Sequence, residues 1–93
     1  MKEIAVVGTG VIGTGWTARF LARGHKVKAW DPADGSSERL HAEIARLWPT
    51  LERSGTSSNA SIENLECFTE LAEACSGVDL VQESVPENID IKR

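Results

Sequence analysis

The feature that most constrains this chain is an apolar run that empties directly into a glycine-spaced turn. Ile4-Ala5-Val6-Val7 is uninterrupted by polar residues, and Gly8-Thr9-Gly10-Val11-Ile12-Gly13 follows at once. A continuous apolar run of this length reads as a strand covered on both faces, since a half-exposed strand would alternate. After the glycines, Ile12, Trp16 and Phe20 recur at four-residue spacing, which predicts a helix over 11–23 with that row laid on a sheet. GxGxxG alone is a weak pattern. Between a strand and a helix each glycine acquires a physical task. Gly8 permits the tight turn, Gly10 lets backbone approach a pyrophosphate, and Gly13 lets helix and strand pack closely. The unpaired N–H groups and positive dipole end of the helix favour the phosphate charge.

The rest of the chain repeats the alternation. Gly24 reads as a left-handed helix stop, and Lys26–Trp30 as a second strand. A turn cluster, Asp31 to Ser37, ends in two serines that are candidate helix caps. Leu40, Ile44, Leu47 and Leu51 then mark a second helix, with a kink or break expected at Pro49. The polar stretch 54–61 reads as a loop and Leu65–Phe68 as a third strand. Thr69 is placed to cap a short helix over 70–76, ended by Gly77, and a fourth strand is expected from Val78 to Val81 or Ser84. Pro86 suits the first turn of a further helix over 87–93. This βαβαβαβ order predicts an α/β fold, the N-terminal part of a Rossmann-type doubly wound parallel sheet.

Asp31 stands 18 residues after Gly13, at the predicted end of the second strand. An acid there accepts hydrogen bonds from the adenosine ribose and repels a 2′-phosphate, and no Arg adjoins it, so NAD is favoured over NADP. The competing reading has Asp31-Pro32 merely start a turn.

Composition excludes several classes. With 14 acidic and 10 basic residues the net charge is −4, which argues against nucleic acid as a partner. No stretch approaches the roughly 20 apolar residues of a membrane span. The N-terminus lacks signal-peptide architecture, and the two cysteines, Cys67 and Cys75, have neither CxxC spacing nor a paired His; both points favour the cytoplasm, two semi-buried thiols and no metal site. A disulfide is the alternative for the cysteines. His25 and His41 read as solvated residues, and no Ser-His-acid or Cys-His arrangement is visible. Trp16 and Phe20 read as core, and Trp30 and Trp48 as packing with ligand stacking as the alternative. The Glu and Arg residues of the second helix read as a solvated face.

The stretches IAVVGTGVIGTGW, VKAWDP and VDLVQESVPENIDIKR resemble the NAD-binding domain of the 3-hydroxyacyl-CoA dehydrogenase family, over essentially the whole chain. The resemblance implies that Gly8, Thr9, Gly10, Val11, Ile12 and Gly13 cradle the pyrophosphate and that Asp31 holds the ribose. It also implies two further cofactor contacts, Glu87 and Lys92, with exposed helix residues as the alternative reading. The family's catalytic His, held by a Glu, would lie beyond Arg93, so no catalytic residue is expected among these 93. A further helical domain would complete the site and form a homodimer. Family members acting on CoA thioesters resemble one another in carrying lysines around the second helix. Here there is no Lys between Lys28 and Lys92, which favours a small free hydroxy acid as substrate. A nucleotide-binding module without catalysis stays open. By itself this domain would expose an edge strand and an apolar face, and marginal stability or self-association is expected of it.

Overall fold

A computed structural model describes residues 2–84. Four strands form one parallel sheet: β1 (Glu3–Val7), β2 (Lys26–Trp30), β3 (Leu65–Phe68) and β4 (Leu80–Glu83), in the spatial order β3-β2-β1-β4. Between them lie α1 (Val11–Ala22), α2 (Ser36–Ser54) and α3 (Leu71–Cys75), with a 3₁₀ turn at Ile62–Asn64. This is a doubly wound α/β arrangement. Chain order runs outward from β1 to β3, then crosses back to β4 on the other side of β1. Right-handed crossovers in opposite directions put their helices on opposite faces. Accordingly α1 and α2 pack on one another, while α3 packs on β1, β2 and β3.

Three consecutive residues of β1, Ile4, Ala5 and Val6, are buried, as a strand covered on both faces requires. Ile4 and Val6 join Ala18, Leu21, Val27, Ala29, Leu40, Ile44 and Leu65 in a core between the sheet and the α1–α2 layer. Each fully buried Leu, Ile or Val there stabilises the fold by about 1.5–3 kcal/mol.

The face that α1 buries differs from the expectation. Gly13, Thr14, Thr17, Ala18 and Leu21 face the core, whereas Ile12 is 51% exposed and Trp16 and Phe20 are only half-buried. The reason is distance. The helix starts within contact of Gly8, so its first turns fit against the sheet only through small residues, and a large side chain, Leu21, enters the core only at the far end. The buried Thr17 hydroxyl is satisfied by donating to the Gly13 carbonyl at 2.8 Å. The larger row forms a rim instead, with the Trp16 and Phe20 rings stacked at 5.5 Å and the Arg19 guanidinium over Trp16.

Several boundaries also shift. α2 starts on Gly35, which takes the left-handed conformation (φ 73°) without any side-chain cap, so Ser36 and Ser37 are inside the helix. α2 continues through Pro49, because Leu47, Trp48 and Leu51 on either side pack against the core and hold the last turn in register. Pro49 itself still costs one backbone hydrogen bond. α3 is capped at Glu70, with no side-chain bond, and Thr69 precedes the cap. β4 begins at Leu80, two residues later than expected. It has one partner strand among the described residues, and Leu80 and Val81 are 48% and 44% exposed there. The expected helix over 87–93 lies outside the described residues. Cys67 and Cys75 are both free and half-buried.

Candidate functional site

Parallel pairing brings the carboxyl ends of β1, β2 and β4 to one edge of the sheet. The Gly8 N–H donates to the Trp30 carbonyl and the Ser84 N–H to the Val7 carbonyl, each at 2.8 Å, so the three chain exits stay in register one residue past the strands. Gly8 has φ 93°, which lets the chain reverse into α1. A Cβ on Gly13 would land on the Gly8 carbonyl, 2.8 Å from its carbon. This close approach makes a crook of backbone with the first turn of α1 above it.

The crook is joined to Asp31. The Thr9 N–H donates to Asp31 Oδ2 at 2.7 Å, and the Ala33 N–H donates to Oδ1 at 2.8 Å. Two backbone donors therefore fix the carboxylate, while its remaining lone pairs stay open to hydroxyl donors. The Thr14 hydroxyl donates to the Thr9 carbonyl at 3.1 Å, tying the same loop to α1.

The start of α1 is chemically open. Gly10 occupies the cap position with no side-chain bond, the first turn carries no acid, and Val11 is exposed. A Cβ on Gly10 would meet nothing within 4 Å, and its φ of −72° suits any residue. A glycine is thus not required here by the fold. The space beside it suits a group brought close to backbone, and the uncapped donors suit an anion.

Next to Asp31 lies an open cleft of about 390 Å³, whose lining includes Gly35, Ser37, Cys67, Phe68 and Thr69. Burial pushes the Cys67 thiol above its ordinary range; a hydrogen bond with Ser37 opposes this, and the Glu38 and Glu66 carboxylates add to it. The thiol is accordingly protonated at neutral pH, and little thiolate is available as a nucleophile. Iodoacetamide labelling of Cys67 is expected to be slow at neutral pH and to accelerate only above the ordinary thiol range. Mass spectrometry of its peptide across a pH series would check this, and rapid labelling at pH 7 would contradict it.

Thus Gly8, Thr9, Gly10, Val11, Ile12, Gly13 and Asp31 converge on one edge of the sheet. Glu87 and Lys92 lie outside the described residues. Two neighbours were not legible in the sequence. Arg39 lines the groove shared by Thr9, Gly10 and Thr14, and its Nη1 donates to the Asp34 carbonyl at 2.9 Å. Ser84 is 7% exposed, and its hydroxyl has no partner among the described residues. His25 instead accepts from the Lys2 N–H, His41 stays exposed on α2, and Trp48 packs on the core. Among the described residues no cluster of His, Cys, Asp or Glu could hold a metal, and no helix is long and apolar enough to cross a membrane.

A parallel sheet, a glycine crook and an acid at the next strand end together define a dinucleotide-binding α/β domain. The chain belongs to the family described as 3-hydroxyacyl-CoA dehydrogenase, NAD binding domain, whose model matches residues 3–93. It is similar to an L-carnitine dehydrogenase of Streptomyces griseus, with 50% identity over 93 residues, all of this chain and 28% of the relative. A second L-carnitine dehydrogenase, from Nocardiopsis dassonvillei, is 48% identical over 99% of this chain and 28% of its own length. The chain thus spans under a third of these relatives. Among solved structures, an NAD⁺-dependent dismutase, 5-formyl-3-hydroxy-2-methylpyridine 4-carboxylic acid 5-dehydrogenase, superposes with a TM-score of 0.80 at 31% identity, covering 95% of this chain and 29% of that one.

Proposed function

We propose that this chain is the cofactor-binding part of an NAD-dependent dehydrogenase that oxidises the 3-hydroxyl of a small hydroxy acid, with L-carnitine to 3-dehydrocarnitine as the reaction. The observation that carries the reading is the hydrogen bond joining the Thr9 N–H of the glycine crook to the Asp31 carboxylate. It sets an anion seat and a hydroxyl acceptor side by side, as a dinucleotide's pyrophosphate and ribose require. NAD, when bound, supplies the hydride acceptor.

The residues divide the binding as follows. The open N–H groups of Val11, Ile12 and Gly13 face the pyrophosphate, and Gly10 leaves it room. Asp31 accepts from the adenosine ribose hydroxyls and disfavours a 2′-phosphate. Glu87 and Lys92 add two contacts by family resemblance. The proton of the substrate hydroxyl goes to a His held by a Glu in the part of the protein beyond Arg93, together with the domain that makes the homodimer. The substrate choice rests on two supports: the relatives' names and the absence of lysines between Lys28 and Lys92. The free thiols agree with a cytoplasmic enzyme.

The test is an assay of the full-length protein with NAD against L-carnitine, L-gulonate and 3-hydroxybutyryl-CoA, following NADH. Turnover is expected with L-carnitine and at least 100-fold lower kcat/KM with the thioester, since a site built for one polar group rejects analogues that leave it unpaired by large factors. Turnover with L-gulonate or the thioester instead would reassign the substrate. NADH formation with none of the three would leave a nucleotide-binding module without this chemistry.

A further inference from the structure

Ser84 is polar, more than nine-tenths buried and without a hydrogen-bond partner among the described residues. Its backbone is fully engaged, the N–H donating to the Val7 carbonyl, so the position is fixed by the sheet. Its Cβ lies 3.4 Å from where a Cβ on Gly13 would stand, which sets it against the first turn of α1 at the anion seat. Buried hydroxyls are nearly always paired, and one left alone among the described residues at the edge of a binding site calls for a partner such as a ligand.

The strand order says which part of a dinucleotide that partner is. Asp31 follows β2, on one side of β1, and Ser84 follows β4, on the other. With the adenosine ribose at Asp31 and the pyrophosphate over α1, the chain of the ligand continues towards β4. Building on the dinucleotide reading above, we propose that the Ser84 hydroxyl hydrogen-bonds the nicotinamide-bearing half of the cofactor, at its ribose. The residue then acts as a register pin, fixing how far the reactive ring extends past the pyrophosphate.

Isothermal titration of the full-length protein with NAD, ADP-ribose and ADP separates the halves of the ligand. Ser84→Ala is expected to weaken NAD and ADP-ribose about tenfold, as loss of one hydrogen bond does, and to leave ADP unchanged. The unliganded variant should melt at the same temperature as the parent or a few degrees higher, by about 2–5 °C, because a lone buried hydroxyl has been removed. Unchanged NAD affinity would overturn the assignment, and so would an equal loss with ADP. A lower melting temperature with normal NAD affinity would make the hydroxyl a structural group and overturn it too. If the parent protein itself binds no NAD, the dinucleotide reading fails first, which a comparison of parent and variant keeps distinct from a failure of Ser84 alone.

Discussion

Gly13→Ala is expected to cost the protein both its stability and its cofactor, whereas Gly10→Ala, three residues earlier, is expected to cost only the cofactor. At Gly13 a single added carbon meets the Gly8 backbone, which is itself held by the Trp30 carbonyl and cannot move aside without breaking the sheet exit. Overpacking against backbone costs about 3 kcal/mol or more, and the melting temperature should fall by about 5–10 °C. At Gly10 the same carbon enters open space and an ordinary backbone conformation. Folding is then preserved, and the carbon enters the space that the proposed pyrophosphate seat needs, with NAD affinity falling by about 100-fold. Thermal melts and NAD titrations on the two variants give the comparison. Equal melting temperatures for both would refute the close packing of Gly13 on Gly8, and full NAD affinity in Gly10→Ala would show that the crook is not the pyrophosphate seat.

Replacing Asp31 should change which cofactor binds. Its carboxylate is held by the Thr9 and Ala33 N–H groups and keeps lone pairs open to the two ribose hydroxyls of the proposed cofactor. Hydrogen bonds to a charged group contribute about 1.5–3 kcal/mol each, so Asp31→Ala is expected to weaken NAD by about 100-fold or more. Removing the charge also removes the repulsion on a 2′-phosphate. Arg39 already lines the adjoining groove, so NADP should gain while NAD loses, and the preference should fall towards unity. Asp31→Asn, which keeps one of the two acceptors used by the Thr9 and Ala33 N–H groups and loses the charge, should fold with a weakened loop and show the same shift in preference. Equal affinity of the unaltered protein for NAD and NADP would remove Asp31 from this role.

All three positions, Gly10, Gly13 and Asp31, could be picked out before any coordinates, and this reflects how local the signal is. The β1 run, the GxGxxG spacing and the acid 18 residues on are each fixed by short-range chemistry: a continuously apolar strand, a turn that needs φ > 0 at Gly8, and a chain length that returns one strand over. The β2 and β3 boundaries agree for the same reason. The helix caps were less legible. Ser36, Ser37 and Thr69 are good cap residues by type, yet backbone geometry at Gly35 and Glu70 starts the helices without them.

What the amino-acid order determined alone was therefore the succession of strands and helices, the glycine crook and the acid that partners it, because these depend on neighbours within a few residues or on one βαβ length. Tertiary structure decided which face of α1 turns inward, since the helix must come within contact of Gly8 and only Gly13, Thr17 and Leu21 allow it. It also decided that Thr9 meets Asp31, that Arg39 reaches the groove, and that Ser84 is shut in beside α1 with no partner for its hydroxyl among the described residues. Those are relations between strand ends far apart along the chain, and only the parallel register of β2, β1 and β4 brings them to one edge.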